Sequence, residues 1–124
     1  MRRLTEYWKG QRGSGAAEFA IVLIPFTMAV FGIIHMSMLF YANQALQYAA
    51  EAGARCYSVD ATNCSTASNA QTYASNRYKG PTIGASFTAT ATGCGHTVVG
   101  TGTYQLDAVL VHRAVALRAA ACYP

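Results

Sequence analysis

From Phe19 to Tyr41 the chain runs for 23 residues without Asp, Glu, Lys or Arg. As a helix rising about 1.5 Å per residue, that run is about 35 Å long. A hydrocarbon core about 30 Å thick can be crossed by such a segment with modest tilt. A protein of 124 residues that spends this much of its length in lipid has room for one small domain besides. Composition agrees: 52% of residues are hydrophobic and 11% charged. The charge is uneven. Before the span, Arg2, Arg3, Lys9 and Arg12 oppose only Glu6, a net +3. After Gly13, Arg55, Arg77, Lys79, Arg113 and Arg118 face Glu18, Glu51, Asp60 and Asp107, a net +1. By the positive-inside rule the N-terminus is cytoplasmic and the chain after Tyr41 is outside. The five later cations are scattered, which argues against a nucleic-acid-binding face.

The border of the span is unusual. Gly13-Ser14-Gly15-Ala16-Ala17-Glu18-Phe19 places a carboxylate at the membrane boundary, five residues after a glycine that closes a basic leader. Charges at that depth are costly. A glycine before the apolar run and an acid within its first turn form the pattern of a prepilin-type cleavage and assembly signal. A secretory signal peptide would have a shorter apolar core with its cleavage site after it. A plain uncleaved signal anchor, with Glu18 favoured by the helix N-terminal dipole, is the competing reading. Cleavage after Gly13 would leave an amine on Ser14 for Glu18 of a neighbouring subunit to pair with. That pairing would neutralise two charges otherwise expensive near hydrocarbon. Ser14, Gly15, Ala16 and Ala17 are small enough for a peptidase to approach and for helices to pack closely. Pro25 removes a backbone donor inside the span, predicting a kink or local melting. His35 is read as a neutral imidazole within a helix pair, since the middle of the span offers no second ionisable group.

The helix continues beyond the span. Leu46, Ala50, Gly53 and Tyr57 fall on one face, and Gln44, Gln47, Glu51 and Arg55 on another. Glu51 and Arg55 are spaced for an exposed ion pair. The organisation expected is a leader over 1–13, one long helix over 14–57 that spans the membrane at 19–41, and a small extracytoplasmic head over 58–124. Within the head, a polar loop leads to a short helix from Ala67 to Tyr78, capped by Thr66 or Ser65 and ended by Gly80-Pro81. The period then switches to two. Strands are expected over Phe87–Thr92, Thr97–Leu106 and Arg113–Tyr123, with a turn at Gly93–His96 and weakening or a bulge at Gly100 and Gly102. The fold class is α+β: a long N-terminal pilin-like helix, a short helix and a three-stranded antiparallel sheet, in a single-pass membrane protein.

Cys56, Cys64, Cys94 and Cys122 all follow the span, where an oxidising compartment would make two disulfides. Three pairings exist; Cys56–Cys64 with Cys94–Cys122 is preferred, closing one short loop and tying a turn to the C-terminus. No zinc spacing, phosphate loop or nucleophile elbow is present, so no metal, cofactor or catalytic residue is assigned. The chain reads as a non-enzyme without a small-molecule substrate.

Taken together, Gly13 to Pro25, Tyr41-Ala42-Asn43-Gln44-Ala45-Leu46 and Glu51-Ala52-Gly53-Ala54-Arg55 resemble the TadE-like pseudopilins of the tight-adherence (Flp, type IVc) pilus system. The ending Ala120-Ala121-Cys122-Tyr123-Pro124 is similar to that of alphaproteobacterial members. The resemblance implies a minor pilin-like protein cut by a prepilin peptidase. It would reside in the bacterial inner membrane with a periplasmic head, or enter the pilus. Its implied partners are other pilins, a secretion ATPase and the assembly platform. Phe19, where major Flp pilins carry Tyr, and the sizeable head fit a minor component better. The alternative is an uncleaved, signal-anchored extracytoplasmic binding module.

Overall fold

The computed structural model describes residues 14–108 and 111–124. Gly13 and the basic leader lie outside the described residues. Helix α1 (Ser14–Val59) is followed by α2 (Ala67–Arg77) and strands β1 (Ser86–Thr92), β2 (Gly95–Ala108) and β3 (Val111–Tyr123). The chain divides into two compact units, one ending at His35 and one running from Met36 to Pro124.

In the first unit α1 presents apolar side chains on all sides. Phe19, Ile21, Val22, Ile24, Phe26, Phe31 and Ile33 are each more than 60% exposed. Among the described residues α1 is the one helix long and apolar enough to cross a membrane, with mean hydropathy 2.2 over its most apolar window and none of that window buried. The local melting expected at Pro25 does not occur, because α1 is helical on both sides of it and through it. Losing one donor leaves the flanking turns bonded, and Thr27 Oγ1 donates to the Ile24 carbonyl at 2.9 Å.

The second unit is built on the remainder of α1. Ala42, Leu46, Ala49, Ala50 and Ala54 are fully buried along one face. They meet Ala70 and Ala74 of α2, Ile83 of the loop before β1, Phe87 and Ala89 of β1, Val98 of β2 and Ala119 of β3 in one core. The alanines let the elements approach closely. At Gly53 an added Cβ would stand 2.8 Å from Ala74 Cβ, so α1 and α2 cross with no room for a side chain. Opposite that face, Gln44, Glu51 and Arg55 are exposed, as the periodicity predicts. The Glu51–Arg55 pair is not made; Glu51 accepts from Gln47 Nε2 at 3.2 Å instead. An exposed pair of this kind is worth only a few tenths of a kcal/mol, so a neighbouring amide displaces it easily.

Thr66 caps α2, its Oγ1 accepting from the Asn69 amide at 3.2 Å. The sheet is an antiparallel meander in the order β1-β2-β3. Pairing is one-to-one from Ser86↔Thr101 to Thr92↔Gly95, and from His96↔Tyr123 to Ala108↔Val111. No bulge forms at Gly100 or Gly102. Both glycines instead make space: a Cβ on Gly100 would strike Phe87 and Leu46, and one on Gly102 would strike Ile83. Gly95 begins β2 at φ 126°, a conformation that side chains disfavour, which sets the tight turn out of β1. Disulfides join Cys56 to Cys64 and Cys94 to Cys122, at Cα separations of 5.7 and 6.5 Å. The Cys56–Cys64 bridge is buried at the end of α1, while Cys94–Cys122 clamps the exposed end of the sheet.

Candidate processing and packing site at the start of α1

α1 is described from Ser14 onward. Glu18 follows four residues later, about 6 Å along the axis, so Ser14 and Glu18 lie one turn apart on neighbouring positions of one face. Glu18 is exposed. Ala16, Ala17 and Phe19 are exposed as well, Phe19 at 67%. An added Cβ on Gly15 would meet nothing within 4 Å, unlike one on Gly53. Among the described residues nothing requires a glycine at position 15. The described residues of the set (Ser14 to Phe19) share the first turn and a half of one helix. Pro25 lies two turns further on, in the same helix.

The second unit supplies two further features that periodicity does not reveal. Tyr41, at the far end of the apolar run, donates its hydroxyl to the Lys79 carbonyl at 2.8 Å. Tyr78 donates to the Pro81 carbonyl at 2.7 Å, and burial pushes its phenol up from the usual value of 10.0. At the other end of α1, Asp60 accepts from the Asn63 side chain at 2.7 Å and from the amides of Asn63 and Thr62 at 2.9 and 3.0 Å. Those bonds, led by the Asn63 side chain, hold its carboxyl below the usual 3.8. A tyrosine bonding to a chain segment 38 residues away carries no local sequence signal. The Asp60 turn, in contrast, is readable from its Asp-x-x-Asn spacing.

The one ion pair among the described residues joins His112 Nδ1 to Asp107 Oδ1 at 3.0 Å, with both side chains more than 70% exposed. No hydroxyl or thiol is hydrogen-bonded to that histidine among the described residues. No cluster of His, Cys, Asp and Glu able to hold a metal occurs among them.

Comparison with known proteins turns on the same stretch. The family model for TadE-like proteins matches residues 13–55. This segment is similar to TadE-like proteins. Its match starts at Gly13, covers Ser14, Glu18 and Pro25, and ends at Arg55, one residue before the first cysteine. The TadE-like segment thus holds the exposed apolar part of α1 and most of the helix face that packs in the core. No curated protein and no solved structure matches the chain. The disulfide-bonded remainder, from Cys56 to Pro124, is described by its own geometry alone.

Proposed function

We propose that the protein is a pseudopilin-type component of a tight-adherence pilus, cleaved after Gly13 and packed through α1 against other pilin helices. TadE-like proteins are pilus-associated structural components, and the match over residues 13–55 supports an association with the pilus assembly machinery. One observation carries the finer reading. The TadE-like match begins at Gly13, and the exposed carboxylate of Glu18 stands just before a run of apolar side chains on α1 that stay largely uncovered among the described residues.

In this reading a prepilin peptidase removes residues 1–13 in the bacterial inner membrane. The new Ser14 amine of one subunit meets Glu18 of its neighbour, and the small residues Gly15, Ala16 and Ala17 allow the approach. Each charge then enters the apolar bundle already paired, which avoids a desolvation cost of several kcal/mol per ion. Residues 19–41 cross the membrane, and the disulfide-stabilised head lies in the periplasm, where its bonds can form. The role is structural rather than catalytic, with other pilins and the assembly platform as partners.

Chromosomal Gly13→Ala and Glu18→Ala variants test this, with pilus production and surface adherence as readouts. Gly13→Ala is expected to leave the leader attached and both readouts lost. Glu18→Ala is expected to be cleaved yet assembly-defective. Normal piliation in both variants would contradict the proposal. Full activity with the head fused to an unrelated anchor would favour an extracytoplasmic binding module.

A further inference from the structure

β3 lies at the edge of the sheet, with β2 as its one strand neighbour among the described residues. It runs for 13 residues, against 7 in β1 at the opposite edge. Natural edges refuse a further strand by being short, by bulging, or by carrying proline or lysine. β3 has neither proline nor lysine, and its pairing with β2 is unbroken. Contacts fix which of its backbone groups are left over. The N–H and C=O of one strand residue point to the same side, and those of the next residue to the other. The Thr103 amide donates at 2.8 Å to the carbonyl of Ile83, which leads into β1. Odd-numbered residues of β2 therefore turn toward β1, and even-numbered ones toward β3. By the register Val98↔Ala121 and Gly100↔Ala119, the odd-numbered residues of β3 close the ladder with β2. The Tyr123 carbonyl agrees, since it faces Gly95. That leaves the N–H and C=O groups of His112, Ala114, Ala116, Arg118, Ala120 and Cys122 directed outward. Among the described residues no hydrogen bond reaches these backbone groups.

The side chains around this edge are basic and idle. Arg113 and Arg118 lie on β3 and Arg55 on the flank of α1, all exposed. None of the three makes a side-chain hydrogen bond or ion pair among the described residues. The carboxylates nearby are occupied: Asp107 meets His112 at 3.0 Å, and Glu51 accepts from Gln47 at 3.2 Å. A groove of about 420 Å³ stays open between Ala121 to Tyr123 of β3 and Gln47, Glu51 and Arg55 of α1.

We infer that β3 takes up an extended, acidic strand of a partner protein as the fourth strand of the sheet. The outward backbone groups supply the main-chain ladder, and the idle arginines select for carboxylates on the incoming strand. Ala114, Ala116 and Ala120 leave room for larger side chains across the new pair. A second copy of this chain is the wrong occupant. Its β3 would bring Arg113 and Arg118 against the same cations, and its β1 has no acidic residue to offer. The inference depends on the head alone and holds whether or not the chain is cut after Gly13.

The test uses the full chain in detergent micelles, with amide hydrogen exchange read by NMR. The probe is a capped synthetic peptide alternating valine and glutamate, and its control carries lysine in place of glutamate. The inference expects the acidic peptide to slow exchange at Ala114, Ala116, Arg118 and Ala120, with Ala89 and Ala91 of β1 unchanged and the lysine peptide without effect. Arg118→Glu, at an exposed position, should weaken peptide binding about fivefold. Ala120→Pro removes one outward donor, leaves the ladder with β2 intact, and should weaken binding about tenfold. Intact mass without reductant confirms both disulfides in each variant, and if Ala120→Pro fails to fold, Arg118→Glu decides alone. Absent binding, protection confined to other residues, equal binding of the lysine peptide, or affinity untouched by Arg118→Glu overturns the inference. Protection of the same β3 amides in the protein alone, rising with its concentration, also overturns it and assigns the edge to a second copy.

Discussion

The two halves of α1 use opposite side chains for opposite ends. Up to Tyr41 the helix carries large apolar groups on every side and covers almost none of them, with Phe26 and Phe31 each 63% exposed. From Ala42 to Cys56 it carries mostly small residues and buries one face completely, with Ala42, Leu46, Ala49, Ala50 and Ala54 all at 0% exposure. A helix apolar all round needs surroundings that are apolar all round, whereas a one-sided face of alanines needs a partner whose shape is specified. The first half depends on what lies outside the chain. The second is satisfied by the chain's own α2 and sheet.

This contrast breaks most readily in the core. Leu46→Ala, in full-length protein in detergent, is expected to destabilise the head by about 3 kcal/mol, since Leu46 is fully buried with its side chain against Gly100. Phe31→Ala, measured by the same chemical denaturation, should leave head stability unchanged within about 0.5 kcal/mol. Equal losses from the two would erase the distinction. Next in size is the exposed clamp on the sheet. Cys94→Ser with Cys122→Ser removes a bridge of sequence separation 28 and should cost about 3.5 kcal/mol. Removing Cys56–Cys64, of separation 8, should cost less in chain entropy, a ranking that thermal melting of the two double variants would check.

Glycines sharpen the comparison at smaller scale. Gly53→Ala pushes a Cβ into Ala74 and should cost about 1–3 kcal/mol, because backbone on both helices must move. Gly15→Ala meets open space and should not lower stability; on the proposed function it impairs assembly instead, read as piliation with normal protein abundance. The smallest effect concerns acid. Asp60 has a folded pKa below 3.8, so its contribution is present above that value and lost as pH falls through the depressed one. The melting temperature of Asp60→Ala should therefore lie slightly below that of the natural protein at neutral pH and converge with it below 3.8.

Much of this architecture is legible in the residues. The 4-3-4 spacing of Leu46, Ala50, Gly53 and Tyr57 marks the buried face of α1, and the alternation in Phe87–Thr92 marks β1. Thr66 and the Gly80-Pro81 pair bracket α2. What escapes such reading is set by contacts distant in sequence. Gly100 and Gly102 suggest a bulge on paper, but regular pairing with Phe87, Leu46 and Ile83 filling the space is what folding selects. The Glu51–Arg55 spacing favours an ion pair, yet the competing amide of Gln47 takes the carboxylate. The full length of the β2–β3 hairpin is hidden because Asp107 and His112 are polar residues of the kind that usually signals the end of a strand. At the start of α1, Gly13, Glu18 and the apolar run stand out because charge near hydrocarbon is expensive. On the proposed function their partner is a neighbouring subunit, which no contact within one chain can display.

The most direct measurement is the intact mass of the protein extracted from its native membrane without reductant, with and without the cognate prepilin peptidase. The account predicts a peptidase-dependent chain beginning at Ser14, with all four cysteines oxidised. A full-length chain that keeps Met1 to Gly13 in both samples would contradict it, leaving an uncleaved anchor in place of a pilin-like subunit.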